Sequence, residues 1–428
     1  MTRRTVLDRG GRAATAVLLL ALLAAACGRS GPARPEAEQP SPGGSAVAGD
    51  VVYAGNPELG QLQVLAAGGK AVRTMPAGVP SPDWRTLYVA VASGDRTTVE
   101  AVDAASGRVL RSLEIAGSFR LPVVGTAGVP DGLSGDGRTL VLANTVKAPV
   151  SRFAVLSTGL TKQPKLVDLP GDFEFDALSP DGSRLYVIEH LPGPDRSRYR
   201  VRFYDRGVGR LDERAIVDKR DAWETSMAGY PNTRVTDPGG VWVYTLYRNA
   251  HYGPFVHALN AQDGFAFCID LPRGGPRGRD DRLARLWALV RDPAGGRLYA
   301  VNTALGVVAE IDGQQDFTVT RKASFPPDRP DAGTPVGAGS VTLSQDGSLL
   351  LAGGAHGVLA IRTGPLEVQQ RYLGGWAVDG LVTSADGKRV YALSRSRGQV
   401  AAIDPSSGAL LGQRAAPGAS LLLRATGP

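Results

Sequence analysis

The chain is poor in sulfur, in histidine and in long apolar stretches. Its 428 residues hold two cysteines, Cys27 and Cys268, which excludes a disulfide framework, a paired-cysteine zinc ribbon and a Cys-x-x-Cys-His haem attachment. Four histidines with no His-x-x-x-His spacing give no conventional zinc signature. Aromatic residues make up only 6%, so Val, Leu, Ile and Ala must fill any interior. The formal charge of +7 falls to +4, 44 basic against 40 acidic groups, once residues 1–26 are set aside. That balance is too mild and too dispersed for nucleic acid. The apolar run from Ala13 to Ala26 is too short to cross a bilayer comfortably.

Glycine and proline are plentiful, 55 and 30 residues, and with 43% hydrophobic residues they suit many short strands joined by tight turns. One phrase recurs seven times, a Ser/Pro/Asp/Gly turn followed by apolar β-formers. The copies begin at Ser81, Ser134, Ser179, Thr236, Asp292, Ser344 and Ser384, with spacings of 53, 45, 57, 56, 52 and 40 residues. A period near fifty with all-strand content predicts an all-β propeller, one domain despite the chain length. A second alternating strand, a turn and a third strand follow each burst, as in Thr98 to Asp103, turning at Ala104 to Gly107. Short inner strands precede the turns, among them Gly132 to Ser134, Phe175 to Ser179, Trp287 to Arg291, Ser340 to Ser344 and Asp379 to Ser384. The unit Val51 to Pro76 lacks an inner strand, and Ala419 to Ala425 is an inner strand lacking its blade. Joined, they close a ring of four-stranded blades and remove its exposed edges. Second strands starting at Val51, Leu87, Leu140, Leu185, Val241, Leu298, Leu349 and Val390 count eight blades; the short first spacing leaves seven open.

The Ser-Pro-Asp-Gly turn, the Leu-Tyr-Val strand and the Ile-Asp hairpin resemble bacterial YVTN-type, WD-repeat-like propellers over nearly all of residues 50–428. The resemblance implies the fold and is nearly silent about chemistry. Arg3, Arg4, Arg9 and Arg12 followed by the apolar run read as an export signal over residues 1–27. Leu22-Leu23-Ala24-Ala25-Ala26-Cys27 resembles a lipobox, which implies a lipoprotein diacylated at Cys27 on the outer face of the bacterial cytoplasmic membrane. Thr2-Arg3-Arg4-Thr5-Val6-Leu7 resembles a twin-arginine signal, and the general secretory route stays open beside it. Two acyl chains hold a protein on a membrane stably. Residues 28–49 are Gly-, Pro- and Ser-rich and are expected to form a disordered linker reaching roughly 25–30 Å.

In a propeller, the connection after each outer strand and the one between second and third strands gather on one face. Long connections fall at Gly117 to Pro130, Lys219 to Arg234, Pro272 to Leu286 and Pro326 to Gly339, making that face the expected binding surface. His190, His251 and His356 follow second strands and project there. With Glu189, Asp131 or Asp176 they offer a weak metal or acid–base set, or are simply tolerated in polar loops. His257 reads as a packed core residue, and Cys268 as a buried small hydrophobe. Trp223, Glu224, Tyr230, Tyr247, Arg248, His251 and Tyr252, with Met227, Tyr244 and Asn249 nearby, have the character of a ligand-binding cluster or of a long loop packed on the rim. Arg198, Arg200 and Arg202 alternate with Tyr199, Val201 and Phe203 as one strand, cationic on one face, either ion-paired or facing anionic polymers. The turn aspartates Asp136, Asp181, Asp346 and Asp386 need only turn chemistry.

Three functions compete on this reading. The first is a membrane-anchored binding or scaffold module for an envelope protein, glycan or small ligand. The second is a propeller enzyme, a metal-dependent lyase or lactonase-like activity using histidines and carboxylates. The third resembles the large subunit of quinoprotein amine dehydrogenases, with the redox chemistry in a partner. The sequence requires no cofactor.

Overall fold

The structure, a computed structural model, describes residues 50–66, 71–145, 149–221, 223–249, 252–273, 281–293, 295–333 and 337–426. The expected export signal, linker, Cys27 and His251 lie outside the described residues.

The repeated turn explains why the chain folds back at each copy. In five copies the serine hydroxyl donates to the aspartate two residues on: Ser81 to Asp83, Ser134 to Asp136, Ser179 to Asp181, Ser344 to Asp346 and Ser384 to Asp386, at 2.6–2.7 Å. The same hydroxyl accepts the N–H five residues on, from Thr86, Thr139, Arg184, Leu349 and Arg389. The aspartate in turn accepts the N–H two residues beyond it. Gly137, Gly182, Gly347 and Gly387 close these turns at φ 68–70°, a conformation open to glycine; in the first copy Trp84 takes it at φ 59°. In the copies that begin at Thr236 and Asp292 an aspartate, Asp237 or Asp292, stands in the serine's place.

These hairpins build eight four-stranded antiparallel blades, read here from the axis outward. Blade 1 is Leu421–Thr426, Val51–Asn56, Gln61–Leu65 and Ala71–Pro76; blade 2 is Val79–Pro80, Thr86–Ser93, Arg96–Asp103 and Val109–Ala116. Blade 3 is Phe119–Arg120, Thr139–Asn144, Val150–Ser157 and Lys165–Pro170; blade 4 is Phe173–Leu178, Arg184–His190, Arg198–Asp205 and Arg210–Leu211. Blade 5 is Tyr230–Thr236, Trp242–Arg248, Phe255–Asn260 and Phe265–Asp270; blade 6 is Ala288–Arg291, Arg297–Asn302, Val307–Asp312 and Thr318–Ser324. Blade 7 is Val341–Leu343, Leu349–Gly354, Gly357–Arg362 and Glu367–Tyr372; blade 8 is Gly380–Thr383, Val390–Ser394, Gln399–Ile403 and Leu410–Ala415. A single helical turn, Asp281–Ala284, precedes blade 6.

Period-two alternation gives each blade two apolar faces, and eight buried clusters fill the eight gaps between neighbours. The ring closes as the sequence implied. Val52 pairs with Ala425 and Gly55 with Leu421. Beside that seam the buried Asp50 carboxylate accepts from Tyr391 Oη at 2.7 Å and Arg389 Nη1 at 3.0 Å.

Two blades depart from the repeat. The inner strand of blade 3 is interrupted after Arg120 and resumes near Leu133, which bridges Leu140. Between these pieces a hairpin, Val123–Val124 against Val129–Pro130, leaves the sheet. Thr126 N–H donates to Asn232 O in blade 5 at 2.8 Å, and a Cβ on Gly128 would lie 3.3 Å from Pro57 in blade 1. Blades 1 and 5 stand four apart in a ring of eight, on opposite sides of the axis, so this hairpin spans the channel. The outer strand of blade 4 stops at Leu211. Its chain then straps outward to blade 5, where Asp218 bridges Ala266 and Lys219 N–H donates to Ala266 O at 2.8 Å, before Met227–Ala228 returns to pair with Arg198–Tyr199.

Candidate functional site: a glycine-walled pocket on the loop face

The first-to-second and third-to-fourth strand turns lie on one face, and all other connections lie on the other, the loop face. Over blades 6, 7 and 8 the loop face holds a cavity of about 370 Å³. Gly337, Gly339, Gly353, Gly354 and Gly375 contribute bare backbone to its lining. The glycines let neighbouring groups come close. A Cβ on Gly354 would meet Asp328 Oδ2 at 2.1 Å, and one on Gly339 would meet Leu286 O at 2.2 Å.

Four side chains give the pocket its chemistry. His356, on the turn between the second and third strands of blade 7, sets Nδ1 2.8 Å from Asp328 Oδ1. Asp328 is buried in the loop from blade 6 and also receives Arg371 Nη1 at 2.9 Å. The other ring nitrogen, Nε2, lies 4.0 Å from Asp331 Oδ1. Asp379, just ahead of the inner strand of blade 8, accepts Arg395 N–H at 2.9 Å, and burial pushes its carboxyl above the usual range. Arg397 lies over the Trp376 ring at 4.9 Å and donates to Gly375 O at 3.1 Å. Together they offer a cation, a base, carboxylates and exposed peptide groups, a set that orients hydroxyl-bearing or zwitterionic small molecules.

The structure scatters the residues singled out in the sequence. His356 lines this pocket, whereas His190 belongs to blade 4, where its Nε2 is 3.1 Å from Glu174 Oε2 and its Nδ1 3.2 Å from Arg196 O. Burial opposes ionisation of Glu174, but His190 and Arg196 outweigh it and hold the carboxyl below its ordinary value. Among the described residues no three His, Cys, Asp or Glu side chains gather as metal ligands. Glu189 pairs with Arg202 at 3.0 Å, while Asp131 and Asp176 both pair with the buried Arg234. The cationic strand face is therefore ion-paired at Arg202.

The aromatic cluster around blade 5 does not converge. Tyr247 is fully buried and stacks between Tyr199 and Phe255 in the core shared with blade 4, because alternation turns it inward. Trp223 and Tyr252 are 92% and 75% exposed. Tyr230 lies under the Arg248 guanidinium at 4.9 Å, and Glu224 faces a separate rim cavity of about 570 Å³ with Arg214 and Lys219. Burial, then the nearby Asp221, raises its carboxyl. His257 is buried in the core, as alternation implied, and Cys268 is half-buried against the same cluster. Asp328, Asp379 and Arg397 escaped the sequence reading. The glycine pairs at 353–354 and 374–375 were the available signal.

No family model matches the sequence, and no curated protein does. Among solved structures the chain is similar to the dihydro-heme d1 dehydrogenase NirN in complex with DHE, at 17% identity and TM-score 0.55, covering 92% of this chain and 77% of that one. It is also similar to apo AztD from Citrobacter koseri, at 12% identity and TM-score 0.54, over 89% and 97% of the two chains. At such identities the likeness extends to the fold alone: the chain is an eight-bladed β-propeller.

Proposed function

We propose that the protein is an exported lipoprotein, held by Cys27 at the outer face of the cytoplasmic membrane, whose propeller binds a small polar ligand or glycan end in the loop-face pocket of blades 6–8. The observation that carries the binding role is the convergence of His356, Asp379 and Arg397 on a cavity walled by glycine backbone. Its volume falls within the roughly 300–1,000 Å³ range of small-molecule sites. The basic start, the apolar run and Cys27 support the anchor.

A thermal-shift and saturation-transfer NMR screen of the full chain against monosaccharides, uronic acids and amino-acid amides tests the pocket. Hits are expected to disappear in Asp379→Ala and Arg397→Ala and to survive in Tyr252→Ala. Hits untouched by both pocket variants would overturn the assignment. Palmitate labelling lost in Cys27→Ala is the expected signature of the anchor, and unlabelled wild-type protein would remove it.

A second, hydrolytic reading rests on the Asp328–His356 pair, an oriented imidazole of the kind that serves as a general base. Acid release from simple lactones in a pH-stat, abolished in His356→Ala, would favour it over binding alone.

A further inference from the structure

Between blades 4 and 5 three soft or neutral donors meet in one buried cluster that the loop-face pocket does not touch. Cys268 Sγ lies 3.9 Å from Met227 Sδ. His257 stands directly opposite Cys268 in the antiparallel register, and both side chains belong to the face turned toward blade 4. Directly opposed residues have Cβ atoms about 4.5–5.5 Å apart, within reach of one small ion. His257 is 1% exposed, yet its Nε2 has no hydrogen-bond partner. Such orphaned buried atoms are costly, and a bound ion is one way to satisfy them.

We propose that Cys268, Met227 and His257 form a binding site for a soft monovalent cation, copper(I), with a thiolate, a thioether and a neutral imidazole as ligands. Sulfur and imidazole donors select soft ions over hard ones. With metal–sulfur bonds of about 2.3 Å, sulfurs this far apart subtend about 115° at a shared ion, close to a trigonal angle. The charge balance favours a monovalent ion. Binding releases the thiol proton to solvent as the Cu–S bond forms, so one positive charge leaves as one enters and the dry cluster keeps its net charge. The half-buried Cys268 gives the ion a way in.

The test is an anaerobic titration of the full chain carrying Cys27→Ser, so that Cys268 is the sole thiol, with copper(I) buffered by bicinchoninate. One equivalent is expected to bind with a thiolate-to-copper ultraviolet band, and Cys268→Ala is expected to abolish both. Met227→Leu, which preserves volume and packing, and His257→Gln should each weaken binding at least about tenfold. Circular dichroism melts would confirm that each variant folds. Absence of binding, unchanged binding in Cys268→Ala, or wild-type affinity in a folded Met227→Leu would each overturn the site. Should Cys268→Ala or His257→Gln fail to fold, the Met227→Leu comparison alone decides.

Discussion

Replacing Asp50 with alanine should loosen the ring at its seam. Asp50 is buried and takes hydrogen bonds from Tyr391 and Arg389, while its main-chain oxygen accepts from Arg414 at 2.9 Å and is unaffected by the change. Tyr391 is itself fully buried, so its stranded hydroxyl should cost about 1–3 kcal/mol. Arg389 reaches solvent and keeps Asp386 at 3.4 Å, so its loss adds only about 1 kcal/mol. The expected total is about 2–4 kcal/mol, against the 3–5 kcal/mol typical of a fully buried pair. At about 2.1 cal/mol/K per residue, a body of this size has an unfolding entropy near 0.8 kcal/mol/K, so Tm should fall by about 2–5 °C. Calorimetry and urea midpoints would measure it. The double variant Asp50→Ala/Tyr391→Phe removes the stranded hydroxyl and should recover part of the loss. A single-variant loss below about 0.5 kcal/mol, or a double variant no better than the single, would refute this account of the seam.

Three further outcomes follow from the geometry. The buried His257 has a folded-state pKa near 4 against an ordinary 6.5, so the unfolded chain takes up the proton first. Stability should therefore fall by up to about 3 kcal/mol as pH drops from roughly 6.5 to 4, with no contribution above that window; urea midpoints of wild type and His257→Gln should converge toward pH 4. Asp181 and Asp404 are held at about 2, the first chiefly by the Ser179 hydroxyl and the Ser183 N–H, the second by the Ser406 hydroxyl and the Ser407 N–H. Their stabilisation is complete above about 4 and lost as pH falls toward 2, and carboxyl NMR titrations should show both midpoints well below those of exposed aspartates. Gly354→Ala should expel Asp328 from His356, because the added methyl occupies the carboxylate's place. The expected loss is about 1–3 kcal/mol with a shifted His356 imidazole resonance, and an unchanged spectrum would contradict that placement.

The ring was legible because its causes are local. The Ser-x-Asp turn fixes each reversal within six residues, alternation fixes which side of a strand is buried, and the orphan ends near Val51 and Leu421 can complete only each other. Residues buried by alternation, such as His257, followed from the same rule. Tyr247 shows where it was not applied far enough: it sits at an inward position of the strand Trp242–Arg248, so its aromatic character belongs to the core. The pocket was hidden for a different reason. Asp328 and His356 are 28 residues apart and Asp379 lies on the next blade, so their meeting depends on how three loops fold over the rim. The hairpin across the channel was equally obscure. Only its contacts with Asn232 and Pro57 distinguish it from a loop of the same length facing solvent.

That hairpin lies across the axial channel, reaching Asn232 of blade 5 and the neighbourhood of Pro57 of blade 1. Beneath it lies a hollow of about 380 Å³ opening to the turn face, with Asp131 and Arg234 at its head. Thr126 meets Asn232 through backbone and side chain, and Asn232 Nδ2 holds Trp287 O at 2.7 Å, one residue from Leu286 on the wall of the loop-face pocket. The hairpin across the channel and the wall of the loop-face pocket are thus joined through one side chain, Asn232.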